Sequence, residues 1–498
     1  MSIHSLVTGW LLLVSLIFYG YWEPRFLLLL LVSVGVNWLI GEVIVRLRSD
    51  LPDSQSMTNA IRAMLFLGIA LNLGAIGYFK YINFFIDIIN SLGASLGKIN
   101  GLVLPLGISF YTFEQITYLV GIALGKGRSY GLPQFLLFVT FFPHLIAGPI
   151  LSAKELIPQF RSLNYRFNTR SLAIGFTVFT IGLFKKTVLA DSVAGYATPI
   201  FEAADNGQVI SFFLSWQAAI AYTLQLYFDF SGYSDMAIGL ARLFNIKLPI
   251  NFFSPYKAIG ISDFWRRWHI SLSRFLRHYL YIPLGGSRKG EVRRYLNLFI
   301  TMLLGGLWHG ANWTFLLWGG LHGIYLCIDR GWQQFLKQRN WKPSGRLSRI
   351  AAQALTFVAV VISWVLFRAE TLEGAKRILC GMAGFDGFIL PESYATKLQM
   401  LTRFGIEFGT VENFGDIQAV AIILSLLIAV FLLPNVYEFM KGEPVALDVY
   451  QHLDNLDNKA TPWWGWKPKI LYAVLIGILF CIGVGFCNSR SEFLYFQF

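Results

Sequence analysis

Residues 295–328 read YLNLFITMLLGGLWHGANWTFLLWGGLHGIYLCI and combine a long apolar run with two histidines, His309 and His322. A helix that crosses a bilayer needs about 20 apolar residues. The 34 residues of this stretch are therefore too few for two crossings and a turn. Basic residues flank both ends, which favours one side of the membrane, the cytoplasm, for both. We predict a re-entrant hairpin whose non-helical turn, 306–312, lies at membrane depth, where an ionisable residue is a candidate functional residue.

The composition is that of a membrane protein. Of the 498 residues, 55% are hydrophobic and 16% are aromatic, which is typical of packed membrane helices with aromatic residues at the interfaces. The net charge of +13 is concentrated, because residues 242–294 contain eleven Lys or Arg and two Asp or Glu. This basic segment lies between apolar runs and therefore indicates anionic lipid or an anionic substrate rather than nucleic acid. The four cysteines show no metal-binding spacing, so we predict neither a metal site nor a disulfide framework.

Nine apolar runs are long enough to cross a bilayer. They are 5–22, 26–45, 61–79, 101–125, 171–190, 209–229, 350–368, 417–437 and 469–487. The first run has no cleavage site, so we predict an uncleaved span rather than a signal peptide. A further run, 135–150, is short and interrupted by prolines, and we expect it to dip into the membrane and return. The region 80–100 is amphipathic and is expected to lie at the interface.

The distribution of Lys and Arg predicts the topology of these runs. It places the N-terminus inside, the C-terminus outside and the basic segment 242–294 in the cytoplasm. The result is an all-α polytopic membrane protein with nine crossings and two re-entrant pieces, and short or tilted helices raise the count to eleven. Lys185 and Lys186, inside the run 171–190, do not fit this scheme.

The two hairpin histidines have two interpretations. Each is compatible with a packed, hydrogen-bonded residue in a Trp- and Gly-rich pair of helices. Two of them in one re-entrant hairpin favour a chemical role. The physical reason is that a neutral imidazole takes a proton from an attacking hydroxyl without a permanent charge in the membrane.

Residues 263–288, DFWRRWHISLSRFLRHYLYIPLGGSR, form a basic and aromatic cluster. The pattern predicts one helix in the cytoplasmic interface, basic on one side and aromatic on the other. A stronger interpretation assigns its arginines to the phosphates of an acyl donor, because Arg binds phosphate through two parallel hydrogen bonds. The predicted donor-binding residues are Trp265, Arg266, Arg267, Trp268 and Arg274, with His269 among them.

Four further residues are predicted to support the site. Asp229 and Asp235 follow an apolar run, where they either end and cap a helix or orient a histidine or a substrate hydroxyl. Gln115 lies beside Glu114 inside the run 101–125, where polar groups have to face protein or a cavity. Asn312 lies in the predicted hairpin turn.

Five motifs, in this order, resemble the membrane-bound O-acyltransferase family, and within it the bacterial alginate O-acetyltransferase branch. They are PLGISFYTFEQITYLVG at 105–121, FFPHLIAGPI at 141–150, YFDFSGYSDMAIG at 227–239, NFFSPY at 251–256 followed by FWRRWHISLSRFLRHYLYIPLGG at 264–286, and GLWHGANWTFLLWGGLHG at 306–323. A more distant resemblance is to the D-alanyl transfer protein of teichoic-acid modification. The motif core covers about 100–330 of one predicted integral-membrane domain, 1–498. The FEQ at 113–115 departs from the family pattern, in which Gln more often follows Phe directly.

This resemblance implies a ring of about nine to eleven transmembrane helices with re-entrant segments around a central catalytic tunnel. A cytoplasmic pocket for the acyl donor is expected to meet an outward-facing funnel. His309 matches the family's catalytic histidine, His269 matches the second motif histidine, and His322 matches a histidine of the branch. The resemblance implies no bound cofactor and acetyl-CoA, or another acyl-CoA, as co-substrate.

The predicted function is O-acetylation of an exported or cell-surface polysaccharide. A multi-pass enzyme of the bacterial plasma (inner) membrane, surrounded by membrane lipids, moves acetyl from cytoplasmic acetyl-CoA to a hydroxyl on the outer side. The branch implies that the first acceptor is a periplasmic or extracellular serine protein of the SGNH-like kind, for which the acidic segment 369–416 is a candidate docking face. The alternatives are a transporter or flippase for a polysaccharide or lipid intermediate and a scaffold that anchors a biosynthetic complex.

Overall fold

The computed structural model describes residues 3–22, 24–49, 57–146, 148–162, 168–341, 345–410, 414–415, 417–449 and 464–488. Most of these residues are helical. The described strands are β1 (Ile389–Pro391) and β2 (Glu407–Gly409), which pair in parallel. The protein is an all-α polytopic membrane protein, and this part of the sequence prediction is confirmed.

The chain forms two compact units. The first comprises Met1–Phe179, Ser234–Ile250 and Glu443–Asn455, and the second comprises Thr180–Tyr233, Asn251–Gly442 and Leu456–Phe498. Two long helices, α8 (Thr169–Phe184) and α11 (Phe212–Leu243), have residues in both. The single domain 1–498 stays a prediction.

The first unit is built from short and long helices of the N-terminal third. They are α1 (Ile3–Trp22), α2 (Pro24–Ser49), α3 (Asn59–Ile76), α4 (Ile82–Ser91), α5 (Ile108–Ala123), α6 (Leu132–Thr140) and α7 (Ala153–Arg161). Buried amides join α2 to α3, since Asn72 Nδ2 donates to Asn37 Oδ1 over 2.6 Å. On α2, the hydroxyl of Ser33 donates to Gln115 Oε1 of α5 over 3.2 Å. Such hydrogen bonds satisfy polar groups that lipid cannot.

The second unit contains the remaining helices. They are α9 (Asp191–Ala194), α10 (Thr198–Asp205), α12 (Ile261–Trp265), α13 (Ile270–Leu276), α14 (Glu291–His309), α15 (Trp313–Gln338), α16 (Arg346–Arg368), α17 (Leu372–Met382), α18 (Ala395–Leu398), α19 (Ile417–Leu432), α20 (Val436–Phe439) and α21 (Ile470–Gly485). Its core is rich in aromatic side chains, including Trp318, Trp364 and Phe264, which are almost completely buried.

Four helical stretches of the described chain are long and apolar enough to cross a membrane. They are Pro24–Ser49, Asn59–Ser91, Thr169–Ala194 and Arg346–Arg368, and each contains one predicted run. The shorter apolar helices Leu6–Trp22, Ile417–Leu432 and Ile470–Gly485 lie in three more. The second stretch runs on through a π-helical turn, Gly77–Tyr81, so this helix is longer than the predicted 61–79. The number of crossings, the ring and the tunnel stay predictions.

The run 135–150 does not form a crossing helix. Helix α6 ends at Thr140, and the following non-helical residues include Pro143, which has no backbone N–H to continue a helix. The segment is surrounded by protein, since Phe141, Leu145 and Ile150 are buried. Non-helical backbone of this kind is tolerated at membrane depth when protein covers it.

Helix α11 corrects the capping interpretation of Asp229 and Asp235. The helix continues to Leu243, so neither aspartate ends or caps it, and both are buried. Asp229 accounts for Lys186, one of the two lysines that did not fit the apolar run 171–190. Lys186 Nζ lies 2.7 Å from Asp229 Oδ1 and 2.8 Å from Asp191 Oδ1, so the buried ammonium is paired.

Candidate active site

The hairpin formed by α14 and α15 depends on glycines at its contact. A Cβ on Gly306 would meet the carbonyl oxygen of Phe315 and would lie 2.8 Å from the Cα of Gly319. A Cβ on Gly319 would in turn meet the carbonyl oxygen of Met302. The two backbones therefore touch at a point that only glycine permits.

The turn of the hairpin is shorter than predicted. Helix α14 continues through His309, and α15 begins at Trp313, so the non-helical part is 310–312 rather than 306–312. The amide oxygen of Asn312 accepts a hydrogen bond from the Thr314 backbone N–H over 3.2 Å and caps α15. Its amide nitrogen donates to the carbonyl of Glu370 over 2.8 Å. Asn312 thus holds the turn that follows His309, and the depth of this turn in the membrane stays a prediction.

His309 is the last residue of α14 and lies among aromatic rings. Its imidazole centroid lies 4.9 Å from that of Trp308, 5.1 Å from that of Trp318 and 5.1 Å from that of Phe367. The residue is 8% exposed. The imidazole is therefore shielded from water by these rings.

His322 is held by hydrogen bonds at both ring nitrogens. The indole Nε1–H of Trp265 donates to Nδ1 over 3.3 Å, so this nitrogen carries a lone pair. Nε2 lies 3.0 Å from the hydroxyl of Ser363, which itself donates to the carbonyl of Val360 over 2.7 Å. Nε2 therefore carries the proton and donates a hydrogen bond to the Ser363 hydroxyl. A histidine with both nitrogens occupied orients its neighbours rather than accepting a further proton.

His269 has a different arrangement. Its Nδ1 lies 3.3 Å from Asn251 Oδ1, an oxygen that also accepts from the Ser271 backbone N–H over 3.2 Å. Because Nδ1 faces an acceptor, it carries the ring proton and Nε2 carries the lone pair. Nε2 is buried and has no hydrogen-bond partner among the described residues. The residue lies outside the four candidate spans, and burial lowers the pKa of His269 to about 3, so the ring is neutral at ordinary pH.

The backbone breaks at His269, which corrects the prediction of one amphipathic helix across 263–288. Helix α12 ends at Trp265, and α13 begins at Ile270. Between them His269 adopts φ 42°, in the left-handed region that non-glycine residues rarely occupy. Strained residues of this kind cluster at functional sites.

A basic cavity of about 480 Å³ lies beside these helices. Four arginines line it: Arg266, Arg277, Arg294 and Arg330. Its remaining walls combine hydroxyl-bearing and apolar side chains, among them Trp265, Thr301 and Met302. A cavity with several guanidinium groups and an apolar floor suits a phosphate-bearing molecule with an uncharged tail.

The structure brings together only part of the predicted donor-binding set. Trp265 and Arg266 line the cavity. The described lining does not include the other three members, Arg267, Trp268 and Arg274. Arg267 instead pairs with Asp263 over 3.0 Å, and Trp268 is packed in the aromatic core.

Three cavity arginines were missing from the predicted donor-binding set. Arg277 lies at the end of the basic cluster, and Arg294 and Arg330 are basic residues that flank the apolar hairpin. The signal of Arg294 and Arg330 was assigned to topology, whereas Arg277 belongs to the cluster whose arginines were assigned to the donor phosphates.

Cavity and histidine share one face of α14. Arg294, Leu298, Thr301 and Met302 line the cavity at helical spacings of three and four residues. His309 lies seven residues beyond Met302, which is two turns or about 10 Å along the same face. Trp265 and Trp318 connect the two regions, since their ring centroids lie 5.9 Å apart and Trp318 contacts His309.

The other predicted supporting residues are distributed over both units. Asp229 belongs to the second unit, and Asp235 and Gln115 belong to the first. In the first unit, His144 Nδ1 lies 3.4 Å from Glu114 Oε1, and both side chains are buried. The sequence departure at Glu114 thus has a structural counterpart in a buried acid–imidazole pair, which the sequence did not predict.

The buried histidine at the end of α14 and the adjoining basic cavity suit a membrane enzyme that transfers a group from a phosphate-bearing donor. Residues 108–368 match the membrane-bound O-acyltransferase (MBOAT) family, and the chain belongs to this family. The chain is 39% identical to the peptidoglycan O-acetyltransferase of Helicobacter pylori, over 98% of this chain and 91% of the relative. It is 38% identical to the probable alginate O-acetylase AlgI of Pseudomonas putida, over 98% of this chain and 94% of the relative.

A more distant similarity is to the teichoic acid D-alanyltransferase of Streptococcus thermophilus. It reaches 29% identity over 53% of this chain and 68% of the relative. The resemblance to the alginate O-acetyltransferase branch is thereby confirmed. The protein is a multi-pass membrane O-acyltransferase, and the roles of the individual site residues stay predictions.

Proposed function

We propose that this protein transfers an acetyl group from acetyl-CoA, bound from the cytoplasm, to a hydroxyl on the outer side of a bacterial inner membrane. The hydroxyl oxygen attacks the thioester carbonyl, the C–O bond forms, and the C–S bond breaks. His309 takes the proton of the hydroxyl and returns it to the departing thiolate. The products are an acetyl ester and free coenzyme A, with no net gain or loss of protons.

The observation that carries this proposal is the shared face of α14. The four arginines of the cavity suit the phosphates of coenzyme A. A pantetheine arm of uncharged atoms then follows the apolar side of the helix, past Met302. His309, about 10 Å further, receives the thioester at its end. No metal takes part in this scheme.

The acceptor is proposed to be a cell-surface glycan. Two relatives that cover nearly the whole chain are named for peptidoglycan and for alginate, and their identities to this chain are almost equal. Similarity therefore favours acetyl as the transferred group and leaves the glycan to experiment. The first acceptor is proposed to be a serine of a secreted partner protein, with the acidic segment 369–416 as its docking face.

The test uses purified full-length protein in nanodiscs with acetyl-CoA. Release of free coenzyme A is followed with and without a glycan or a secreted serine-containing acceptor. We expect acceptor-stimulated release by the wild type and a loss of at least about 100-fold in His309→Gln. Equal turnover by wild type and His309→Gln would falsify the assignment of His309.

A matched pair of charge variants tests the donor site. Arg294→Gln removes a cavity arginine, whereas Arg349→Gln removes an exposed arginine of α16 that is not part of the described cavity lining. We expect the first to raise KM for acetyl-CoA and the second to leave it unchanged. If neither the wild type nor any variant releases coenzyme A, while a glycan or lipid measurably crosses the bilayer, the transporter is supported instead.

A further inference from the structure

The side chain of Asn251 lies directly against His269 and is completely buried. Three donors converge on its Oδ1: the Ser271 backbone N–H at 3.2 Å, the Ser271 hydroxyl at 2.9 Å and His269 Nδ1 at 3.3 Å. The Ser271 backbone N–H can only donate, so the atom of Asn251 that faces it is the oxygen. An amide oxygen only accepts hydrogen bonds, so Nδ1 has to be the donor and the His269 ring is held as its Nδ1–H tautomer.

The backbone of Asn251 supports the same arrangement. Its carbonyl accepts from the Ile270 N–H over 3.0 Å, and the neighbouring Phe253 N–H donates to the carbonyl of Arg267 over 2.9 Å. These two bonds hold the chain on both sides of His269, whose φ of 42° is strained. Asn251 therefore fixes the position of the ring as well as its tautomer.

The His269 ring is packed against aromatic side chains, and its Nε2 has no hydrogen-bond partner among the described residues. The described ring neighbours are Phe230 of α11, at 4.8 Å between centroids, Phe252 at 6.4 Å and Trp308 of α14 at 6.3 Å. The nearest titratable residues along those helices are Asp229, which is paired with Lys186, and His309. The His269 ring therefore packs against Trp308, the residue that directly precedes the proposed base, His309.

We propose that Asn251 is a positioning residue, which holds His269 with Nε2 as a bare hydrogen-bond acceptor for the substrate at the site of His309. This inference rests on the proposed function for the substrate, but the tautomer itself does not. His322 and His269 then have opposite tautomers and different roles. His322 donates from Nε2 to Ser363, whereas His269 accepts at Nε2.

The decisive variant is Asn251→Asp. A carboxylate retains all three hydrogen bonds and, being negative, stabilises the protonated imidazole, whose Nε2 then donates instead of accepting. We expect the ratio of variant to wild-type turnover to rise about tenfold from pH 6.5 to pH 8.5, as the proton leaves His269. Asn251→Leu, which has no acceptor, is expected to lower kcat at every pH without this recovery.

Ser271→Ala is the matched control. It removes one of the three hydrogen bonds to Oδ1 but leaves the contact with His269. If Asn251 only anchors the loop, Asn251→Asp and Ser271→Ala behave alike and follow the wild-type pH profile, and the inference is overturned.

A second measurement does not depend on turnover. Protonation of a buried His269 destabilises the wild type as the pH falls, but the carboxylate of Asn251→Asp offsets it. We expect the melting temperature to fall less between pH 7 and pH 5 in Asn251→Asp than in the wild type or Ser271→Ala. If the wild type releases no coenzyme A, the proposed function fails while this comparison still decides the role of Asn251. If the melting temperatures of the three proteins fall equally between pH 7 and pH 5, the inference about Asn251 is overturned.

Discussion

The indole of Trp265 lies between the basic cavity and His322, because it lines the cavity and donates a 3.3 Å hydrogen bond to His322 Nδ1. The histidine thereby fixes the orientation of a cavity wall. Ser363 completes the arrangement by accepting from Nε2 over 3.0 Å. His322 therefore lies behind the cavity wall. His309 lies at the end of the face of α14 that lines the cavity.

The first prediction separates the two hairpin histidines by kinetics. His322→Ala leaves the buried indole N–H of Trp265 without its acceptor and removes the donor to the Ser363 hydroxyl, so the cavity wall loses its fixed orientation. We expect KM for acetyl-CoA to rise about tenfold with a smaller change in kcat, as for the loss of a buried hydrogen bond. His322→Gln, which can both accept and donate, is expected to recover part of this loss. A large loss of kcat at saturating donor, with KM unchanged, contradicts the prediction.

The second prediction concerns the contact of the two hairpin helices. Gly306→Val places a branched side chain where even a Cβ meets the carbonyl of Phe315 and approaches Gly319 to 2.8 Å. The backbone has to move, and we expect little folded protein after detergent extraction, as judged by size-exclusion chromatography. Gly477→Ala on α21 is the control, since a Cβ there meets nothing within 4 Å. If Gly306→Val has the same yield and melting temperature as the wild type, close packing of the two hairpin helices is contradicted.

How far the sequence predicts the site differs between local and distant features. His309 was selected as a candidate because an ionisable residue in an apolar hairpin is unusual within a short window of sequence. The partner of Asp229 was not found, because Lys186 precedes it by 43 residues and both lie in apolar runs that gave no pairing signal. The break at His269 has no Gly or Pro to mark it, so periodicity predicted one helix. It depends instead on Asn251, which belongs to a separate segment of the chain.

The third prediction tests the buried ion cluster of Lys186, Asp191 and Asp229, which joins the helical stretch Thr169–Ala194 to α11. Lys186→Met removes the ammonium and leaves Asp229 and Asp191 without its compensating charge. Removing one partner of a buried ion pair costs about 3–5 kcal/mol. We expect a marked fall in melting temperature in detergent, and the double variant Lys186→Met/Asp229→Asn is expected to recover much of it. An unchanged melting temperature in the single variant shows that the cluster contributes no net stability.

The fourth prediction follows from the neutral state of His269. Burial lowers the pKa of this imidazole in the folded protein to about 3, whereas an exposed histidine titrates near 6.5. The unfolded chain therefore binds a proton at acid pH that the folded chain does not. The contribution of His269 to stability is fully present above pH 6.5 and is lost as the pH falls towards 3.

The variant His269→Asn isolates this contribution. Asparagine tolerates the left-handed backbone of this position and cannot be protonated. We expect its melting temperature to fall less than that of the wild type between pH 7 and pH 4, because the other titrating groups are common to both proteins. Catalytic turnover is expected to drop in the same variant, since the amide supplies no equivalent of the buried Nε2 lone pair. An equal acid response in the two proteins shows that His269 is protonated in the folded state, contrary to its surroundings of Phe230, Phe252 and Trp308.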